Sequence, residues 1–155
     1  SPKENRDVPP LDYDLVYRVK AARPHLAIVI NGGVATLDEA DEHLKHVDGV
    51  MMGRAAYQSP WMLAAVDARI FGAPQAVATP LDALLRYRDY VERELKDGVP
   101  LAPLMKPVLG LFHGSPGARL FRRHLSENAH RRGAGISVLD DAIAHLAPGQ
   151  ARDAA

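Results

Sequence analysis

The chain has 155 residues, 47% hydrophobic and 25% charged, which is enough apolar content for one modest core and too much for a disordered chain. Its 19 Lys and Arg balance its 19 Asp and Glu, so a polyanionic partner would have to meet a local basic patch. The absence of Cys excludes disulfides and thiolate metal sites. No apolar run approaches the roughly 18 residues that span a bilayer, which predicts a cytoplasmic protein without a membrane partner.

Helices and strands alternate in the first part of the chain. Asp12 is a suitable cap for a first helix, and the apolar run 26–30 that follows it predicts a strand buried on both faces of a parallel sheet. Thr36 and Glu39 form a capping box at the start of a second helix. Residues 49–52 then predict a second buried strand. This order of elements is typical of the βαβ units of an α/β protein.

From about residue 71 onward the strand signals stop and only helices are predicted. Thr79, Pro80 and Asp82 combine a capping box with proline at the first helical position, so a long helix is expected to run from there to near Gly98. Apolar spacing predicts further helices within residues 105–112, 116–133 and 137–146. The small and polar residues 151–155 are expected to fray.

Two glycine turns follow the two predicted strands. Asn31, Gly32 and Gly33 follow the first strand, and Gly53 and Arg54 follow the second, so both turns should lie at the carboxyl edge of the sheet. Glycine lets the backbone approach a ligand, free amide groups attract anions, and Arg54 adds a fork-shaped cation suited to phosphate. Ordinary strand-ending turns are the alternative, but two such turns one βα period apart favour a phosphate site.

A run of arginines in the helical part suggests a second anion site. On a helix, Arg119, Arg122 and Arg123 fall within an arc of about 100°. The apolar positions form a separate stripe, which consists of Ala118, Phe121, Leu125 and Ala129. One face should therefore pack against the core while the other meets solvent or an anion, and charge alone does not decide between these two.

Two other features favour structural roles. His43 and His46 lie three residues apart on a helix, but no further ligand is placed to complete a metal site, so a solvated helix face is expected and no metal is predicted. Three aromatic residues could stack on bases, namely Tyr87, Tyr90 and Trp61. Their helical spacing beside Leu84 and Val91 favours core positions instead.

Several stretches together resemble one known family. They are SPKENRDVPPLDYDLVYRVK, INGGVATLDEADEHLKHVDGVMMGRAAYQSPWML, AAVDARIFG, VEREL and LGLFHGSPGARLFRRHLSENAH. The sequence is similar to the carboxyl-terminal part of the tRNA-dihydrouridine synthases, most closely their A subfamily, from residue 1 to about residue 146. The resemblance implies an α/β fold made of the last βα units of a TIM (β/α)₈ barrel followed by an all-helical bundle domain. It also implies an oxidoreductase in which NADPH reduces FMN and the reduced flavin passes hydride to a flipped-out D-loop uridine of tRNA.

The same resemblance assigns domains and site residues. Residues 1–70 would be the carboxyl-terminal part of the FMN-binding barrel, 71–150 a helical tRNA-binding domain, and 151–155 a tail. The family's contacts to the FMN phosphate fall on Asn31, Gly32, Gly33, Gly53 and Arg54. Its contacts to tRNA fall on Lys3, Arg6, Arg119 and Arg122.

The departures from the family pattern concern catalysis. The family protonates the uracil ring with a Cys on an earlier barrel loop, and this chain has no Cys, so no catalytic residue is predicted within it. A barrel needs about eight strands, whereas the sequence indicates two, and its first residues carry no initiator Met. The chain is therefore expected to be part of a longer protein, or to be completed by a second chain, and to be inactive alone.

Two alternatives remain open at the level of sequence. A non-catalytic RNA-binding module could retain the basic helical part without the barrel. Another FMN-binding or phosphate-binding TIM-barrel oxidoreductase would share the two glycine turns, but it would leave SPKENR and LSENAH unexplained.

Overall fold

The chain divides into two compact units, Ser1–Ala55 and Ala56–Ala155, and a computed structural model describes residues 11–146. The boundary between the units lies earlier in the chain than residue 70, where the sequence placed the end of the first domain. That division into domains stays a prediction. The predicted tail, residues 151–155, lies outside the described residues.

The first unit has the expected order of helix, strand, helix and strand. Its elements are α1 (Tyr13–Ala22), β1 (Val29–Asn31), α2 (Leu37–Leu44) and β2 (Gly49–Met51). Asp12 caps α1 by accepting a hydrogen bond from the Leu15 amide at 2.9 Å. Thr36 likewise accepts from the Glu39 amide at 3.2 Å, but the Glu39 carboxylate accepts from the Ala35 amide, so only half of the predicted capping box forms.

The two strands are parallel and pair in a single register. Val29 lies opposite Gly49, and Asn31 lies opposite Met51. The prediction that both strands are buried on both faces is wrong for the described residues, because Ile30 is 3% exposed but Val29 is 61% exposed and Met51 48%. Val29 and Met51 lie on the same face of the sheet, and residues 11–55 leave that face largely uncovered.

A polar contact fixes the entry to β1. The Lys20 ammonium group donates to the Asp48 carboxylate at 2.9 Å and to the carbonyls of Pro24 and Leu26. The other Asp48 oxygen accepts from the Ile28 amide at 2.8 Å. These contacts to Ile28 and Lys20 lower the pKa of Asp48 below its usual value. The pair therefore joins the end of α1 to the start of both strands.

His43 is buried, which corrects the expected solvated helix face. Its Nδ1 lies 2.6 Å from the Tyr17 hydroxyl, and the Tyr13 ring meets its imidazole edge to face with 4.5 Å between centroids. Tyr17 also stacks on His46 at 4.3 Å. Tyr13 and Tyr17 of α1 cover this part of α2, so only 7% of His43 remains exposed.

The described part of the second unit contains helices and no strand. Its elements are α3 (Arg54–Gln58, which begins in the first unit), a 3₁₀ helix (Pro60–Ala65), α4 (Val66–Phe71), α5 (Pro80–Lys96), α6 (Leu101–Met105), a 3₁₀ turn (Lys106–Val108), α7 (Ala118–Asn128) and α8 (Ile136–Ile143). The capping box predicted at Thr79 and Asp82 is complete, with both hydrogen bonds close to 3 Å. Across residues 11–146 no helix is both long and apolar enough to cross a membrane.

One stretch that was predicted to be helical is mostly turn. Within residues 105–112, Met105 ends α6, the 3₁₀ turn Lys106–Val108 follows, and the remaining residues form turns. Pro107 lacks an amide hydrogen and cannot continue α6, while Gly110 has little preference for a helix. A Cβ atom at Gly110 would also collide with the Gln58 carbonyl, so the two backbones pack closely there.

Helices α5 to α8 and the turns between them enclose the core of this unit. Its largest fully buried side chains are Leu84, Val91, Leu101, Met105, Phe112, Phe121, Leu125 and Leu139. Phe112 and Phe121 meet edge to face, with 5.1 Å between ring centroids. Trp61 and Tyr87 are half-buried against the same core, and the Tyr87 hydroxyl donates to the Leu104 carbonyl at 2.9 Å. The predicted core positions of Tyr87 and Trp61 are confirmed. The one predicted for Tyr90 is wrong, because its side chain is 39% exposed and lies beside Arg93 at the surface.

Candidate phosphate site and cationic groove

The parallel register brings the two glycine turns to one edge of the sheet. Asn31 ends β1 opposite Met51 at the end of β2, so Gly32 and Gly33 leave the sheet beside Gly53 and Arg54. This juxtaposition is the one expected from the spacing of the turns in the sequence. Backbone amides and one arginine thus gather where a parallel sheet usually presents its ligand.

The first turn requires glycine because of the side chains that lie against it. Gly32 and Gly33 have φ angles of +125° and +72°, which side-chain-bearing residues rarely adopt. A Cβ at Gly32 would lie 2.7 Å from the Leu11 side chain, and one at Gly33 would lie 2.7 Å from the Tyr13 hydroxyl. The Tyr13 hydroxyl donates to the Gly32 carbonyl at 2.7 Å and so fixes the orientation of that peptide. Tyr13 shapes the turn, although nothing in its sequence spacing indicated this contact.

The second turn is more open. A Cβ at Gly53 would meet only the Met51 side chain, at an ordinary contact distance of 3.7 Å. Arg54 begins α3, is exposed, and makes no ion pair with any residue of 11–146. Its guanidinium group is therefore available to bind two oxygens of a phosphate.

Helix α7 carries the predicted division into an apolar and a cationic face. Its predicted apolar stripe is buried, comprising Ala118, Phe121, Leu125 and Ala129. Arg119, Arg122 and Arg123 are exposed, and Arg123 pairs with Glu127 at 3.0 Å. Arg119 and Arg122 have no such partner within the part of the chain that the structure describes. Two cations of this face are therefore free to meet an anion.

Arg122 also lines a groove that sequence reasoning missed. The groove has a volume of about 390 Å³, and we call it the Lys106 groove; its lining residues are Tyr57, Gln58, Ser59, Lys106, Leu109, Gly110, His113 and Arg122. Lys106 and His113 follow α6, whereas Arg122 lies on α7, so no common spacing links them in the sequence. Only the packing of the turns between these helices brings their charges together.

Lys3 and Arg6 lie outside the described residues, and their role stays a prediction. Within residues 11–146 no group of three or more His, Asp or Glu side chains could hold a metal ion.

The described elements define an α/β protein with two glycine turns at one edge of its sheet and a helical unit that has a cationic face. Residues 1–147 match the family model of the dihydrouridine synthases (Dus). The chain therefore belongs to the dihydrouridine synthase family, which confirms the resemblance seen in the sequence.

Individual relatives support the same assignment. The chain is 54% identical over 148 residues to a tRNA-dihydrouridine(20/20a) synthase of Yersinia pestis. This match covers 96% of the chain and 43% of the relative. The chain is 51% identical over 146 residues to the protein of that name from Vibrio cholerae, covering 94% of this chain and 45% of the relative. The chain thus spans less than half the length of the curated relatives it matches.

Proposed function

We propose that the chain is the carboxyl-terminal part of a flavin-dependent tRNA-dihydrouridine synthase, which reduces D-loop uridines of tRNA with FMN and NADPH. The observation that carries this proposal is the 54% identity over 148 residues to a relative named for that activity. The relatives' name specifies positions 20 and 20a, and we infer that the same uridines are the substrates here. A cytoplasmic location remains a prediction.

The first unit would supply the last βα units of the TIM barrel. Its two parallel strands are joined through α2 as such units require, and their edge carries the glycine turns. Large apolar side chains stay exposed on this unit, namely Leu11, Leu15, Val19, Leu26, Val29 and Met51. The preceding βα units, from a longer chain or a second one, would cover this apolar surface and complete the barrel.

The glycine turns would hold the phosphate of FMN. Backbone groups of Asn31, Gly32, Gly33 and Gly53 and the free Arg54 guanidinium group form a donor set that suits a phosphate dianion. When bound, FMN supplies the hydride for the uracil ring. The proton must come from outside this chain, because the Cys that the family uses for it is absent here.

The helical unit would bind the tRNA. A uridine inside the duplex or loop stack cannot reach a flavin until it is flipped out, and flipping costs a few kcal/mol that contacts elsewhere must offset. Arg119 and Arg122, both free of ion pairs within residues 11–146, would contact phosphates, and Lys3 and Arg6 are assigned the same role by resemblance. These four residues would orient the tRNA without reading its sequence.

A chimera tests the proposed function. The part of the Yersinia pestis relative that precedes the matched region is joined to this chain, and dihydrouridine is measured by mass spectrometry of digested tRNA after incubation with NADPH. We expect dihydrouridine at positions 20 and 20a from the chimera and none from the 155-residue chain alone. A chimera that folds and binds tRNA but forms no dihydrouridine would instead favour the non-catalytic RNA-binding module.

An arginine variant of the chimera tests the phosphate site separately. Arg54→Ala should weaken FMN binding by about tenfold or more, because a charge-assisted contact to phosphate is lost. Arg18→Ala, which removes an exposed cation from α1, serves as the matched control and should leave FMN binding unchanged. FMN dissociation constants are measured by flavin absorbance at fixed salt, and equal constants for Arg54→Ala and the unaltered chimera would remove Arg54 from the site.

A further inference from the structure

We propose that the Lys106 groove holds one nucleotide of the bound tRNA, with its phosphate on Lys106 and Arg122 and its sugar and base along Tyr57 and Leu109. This inference rests on the proposed function, since it takes tRNA as the partner. It adds Lys106, His113 and Tyr57 to the residues that meet the RNA.

The charge of the groove favours a phosphate. Lys106 and Arg122 line it together with His113, and none of the described residues that line it is acidic. Neither Lys106 nor Arg122 makes an ion pair with another residue of 11–146. Two other cations of the same unit have carboxylate partners, since Arg88 pairs with Asp140 and Arg123 with Glu127. The groove thus concentrates positive charge that the described residues leave without a counterion.

The walls of the groove are held by the core of the unit. Met105 and Val108 are buried on either side of Lys106 and Pro107, and fully buried Phe121 precedes Arg122. Two further lining residues are also packed tightly, since Gly110 lies directly against the Gln58 carbonyl with no room for a side chain. Both cations are therefore attached to fixed backbone, which lowers the entropic cost of placing them around one anion.

The size and lining of the groove fit more than a phosphate ion. Its volume of about 390 Å³ lies in the range of pockets that hold small organic ligands. Tyr57 is 60% exposed at its rim, and Leu109 adds apolar surface. An aromatic ring beside a cationic wall is the combination that binds the base and the phosphate of unpaired nucleotides.

A second basic cavity in the same unit does not share these properties. It lies next to His130, Arg131 and Arg132, beyond the end of α7, and has a volume of about 310 Å³. The Arg131 side chain donates to the Glu127 carbonyl at 3.2 Å, and His130 lies 3.1 Å from the Ser126 carbonyl. These side chains are thus engaged by the last turn of the helix, and the Lys106 groove is the stronger candidate.

Filter binding of labelled tRNA to the 155-residue chain, at several salt concentrations, tests the proposal. Lys106→Ala should weaken tRNA binding by about tenfold at low salt and reduce the slope of log affinity against log salt by about one, as for the loss of one phosphate contact. Lys106→Glu should weaken it further, and Tyr57→Ala should weaken it with little change in slope. Lys96→Ala, which removes an exposed cation from the end of α5, is the matched control and should bind like the unaltered chain.

The outcomes separate this inference from the proposed function. If Arg119→Ala weakens tRNA binding while Lys106→Ala and Lys106→Glu do not, the groove is not an RNA site but the helical unit still binds tRNA. If the unaltered chain binds no tRNA at low salt, the RNA role of this unit and the groove site both fail. Uridine monophosphate is titrated in parallel, and a Lys106→Ala effect on this nucleotide without any effect on tRNA would overturn the proposal.

Discussion

At the scale of single residues, Tyr13 has the most specific role in the candidate phosphate site. It touches the first glycine turn twice, through the hydrogen bond to the Gly32 carbonyl and through the space its hydroxyl takes beside Gly33. Its ring also packs against buried His43 of α2. Tyr13 thus connects the conformation of the turn to the packing of α1 on α2.

Removing only the hydroxyl separates these roles. Tyr13→Phe should keep the ring contact with His43 but lose the hydrogen bond to Gly32, which lowers the stability of the first unit by about 1 kcal/mol. In the chimera it should also weaken FMN binding, since the Gly32 peptide is no longer fixed. Tyr57→Phe is the control, because its hydroxyl bonds to no other residue in the described part of the chain. Urea unfolding and flavin titration measure the two effects, and a Tyr13→Phe protein equal to the control in both would exclude the positioning role.

Single residues also show which contacts can be read from a sequence. Asp12 and Thr79 cap the helices that follow them because each cap joins residues three apart, and such spacing is visible in the chain. Tyr13 and Gly32 are 19 positions apart, and no periodicity relates them. The need for glycine at the turn was predicted, but the side chain that enforces it was not.

At the scale of helices, a two-bond ion pair joins α5 to α8 in addition to their apolar packing. The Arg88 guanidinium group donates to both oxygens of Asp140, at 2.7 and 2.8 Å. This contact lowers the pKa of Asp140 below its usual value and raises the pKa of Arg88. Because both side chains are partly exposed, solvent screens the pair and its contribution to stability is modest.

The direction of the Asp140 pKa shift determines the pH range in which the ion pair with Arg88 stabilises the fold. The pKa of Asp140 is lower in the folded protein than in the unfolded chain. Its contribution to the free energy of unfolding is therefore complete at pH values well above the ordinary pKa of 3.8, and it is lost as the pH falls below that pKa. Asp140→Asn should therefore lower the urea midpoint of the helical unit at pH 7 and have a smaller effect near pH 3. Asp141→Asn changes the neighbouring exposed carboxylate and serves as the control. Equal midpoints for the two variants at pH 7 would show that the ion pair adds nothing.

Amphipathic spacing was the most reliable signal at this scale. The stripe of Ala118, Phe121, Leu125 and Ala129 is buried as predicted. Apolar residues spaced three or four apart lie on one face of a helix, and that face packs against the core. The expected helix over 105–112 was mostly wrong, since Pro107 and the close contact of Gly110 with Gln58 outweigh its apolar content. The Lys106 groove follows from that turn, which explains why the sequence did not reveal it.

At the scale of the whole molecule, the two units differ in the size of their cores. Residues 11–55 of the first include four buried hydrophobic residues, which are Ile30, Val34, Ala40 and Val47. Residues 56–146 of the second include a cluster of fourteen, among them Leu84, Val91, Leu101 and Phe112. The apolar side chains that remain exposed on the first unit could add to its stability only if another part of the protein covered them.

This difference predicts unequal stability in the 155-residue chain. Backbone amides of β1, α2 and β2 should exchange hydrogen for deuterium faster than those of α5 and α7, because a small core permits more frequent opening. In the chimera, the amides of the first unit should become more protected while those of α5 and α7 change little. Mass spectrometry of peptic fragments measures both. Equal protection of the two units in the isolated chain would contradict this prediction.

Trp61 is a natural fluorescent probe of the helical unit. It is the one tryptophan of the sequence, and it lies half-buried against the core of the helical unit, two residues beyond Ser59 of the Lys106 groove. Residues 1–55 contain tyrosine but no tryptophan. Light at the long-wavelength edge of the protein absorption band therefore excites Trp61 alone. In the 155-residue chain its emission will therefore report on the helical unit alone, without any label, even while the first unit opens or unfolds.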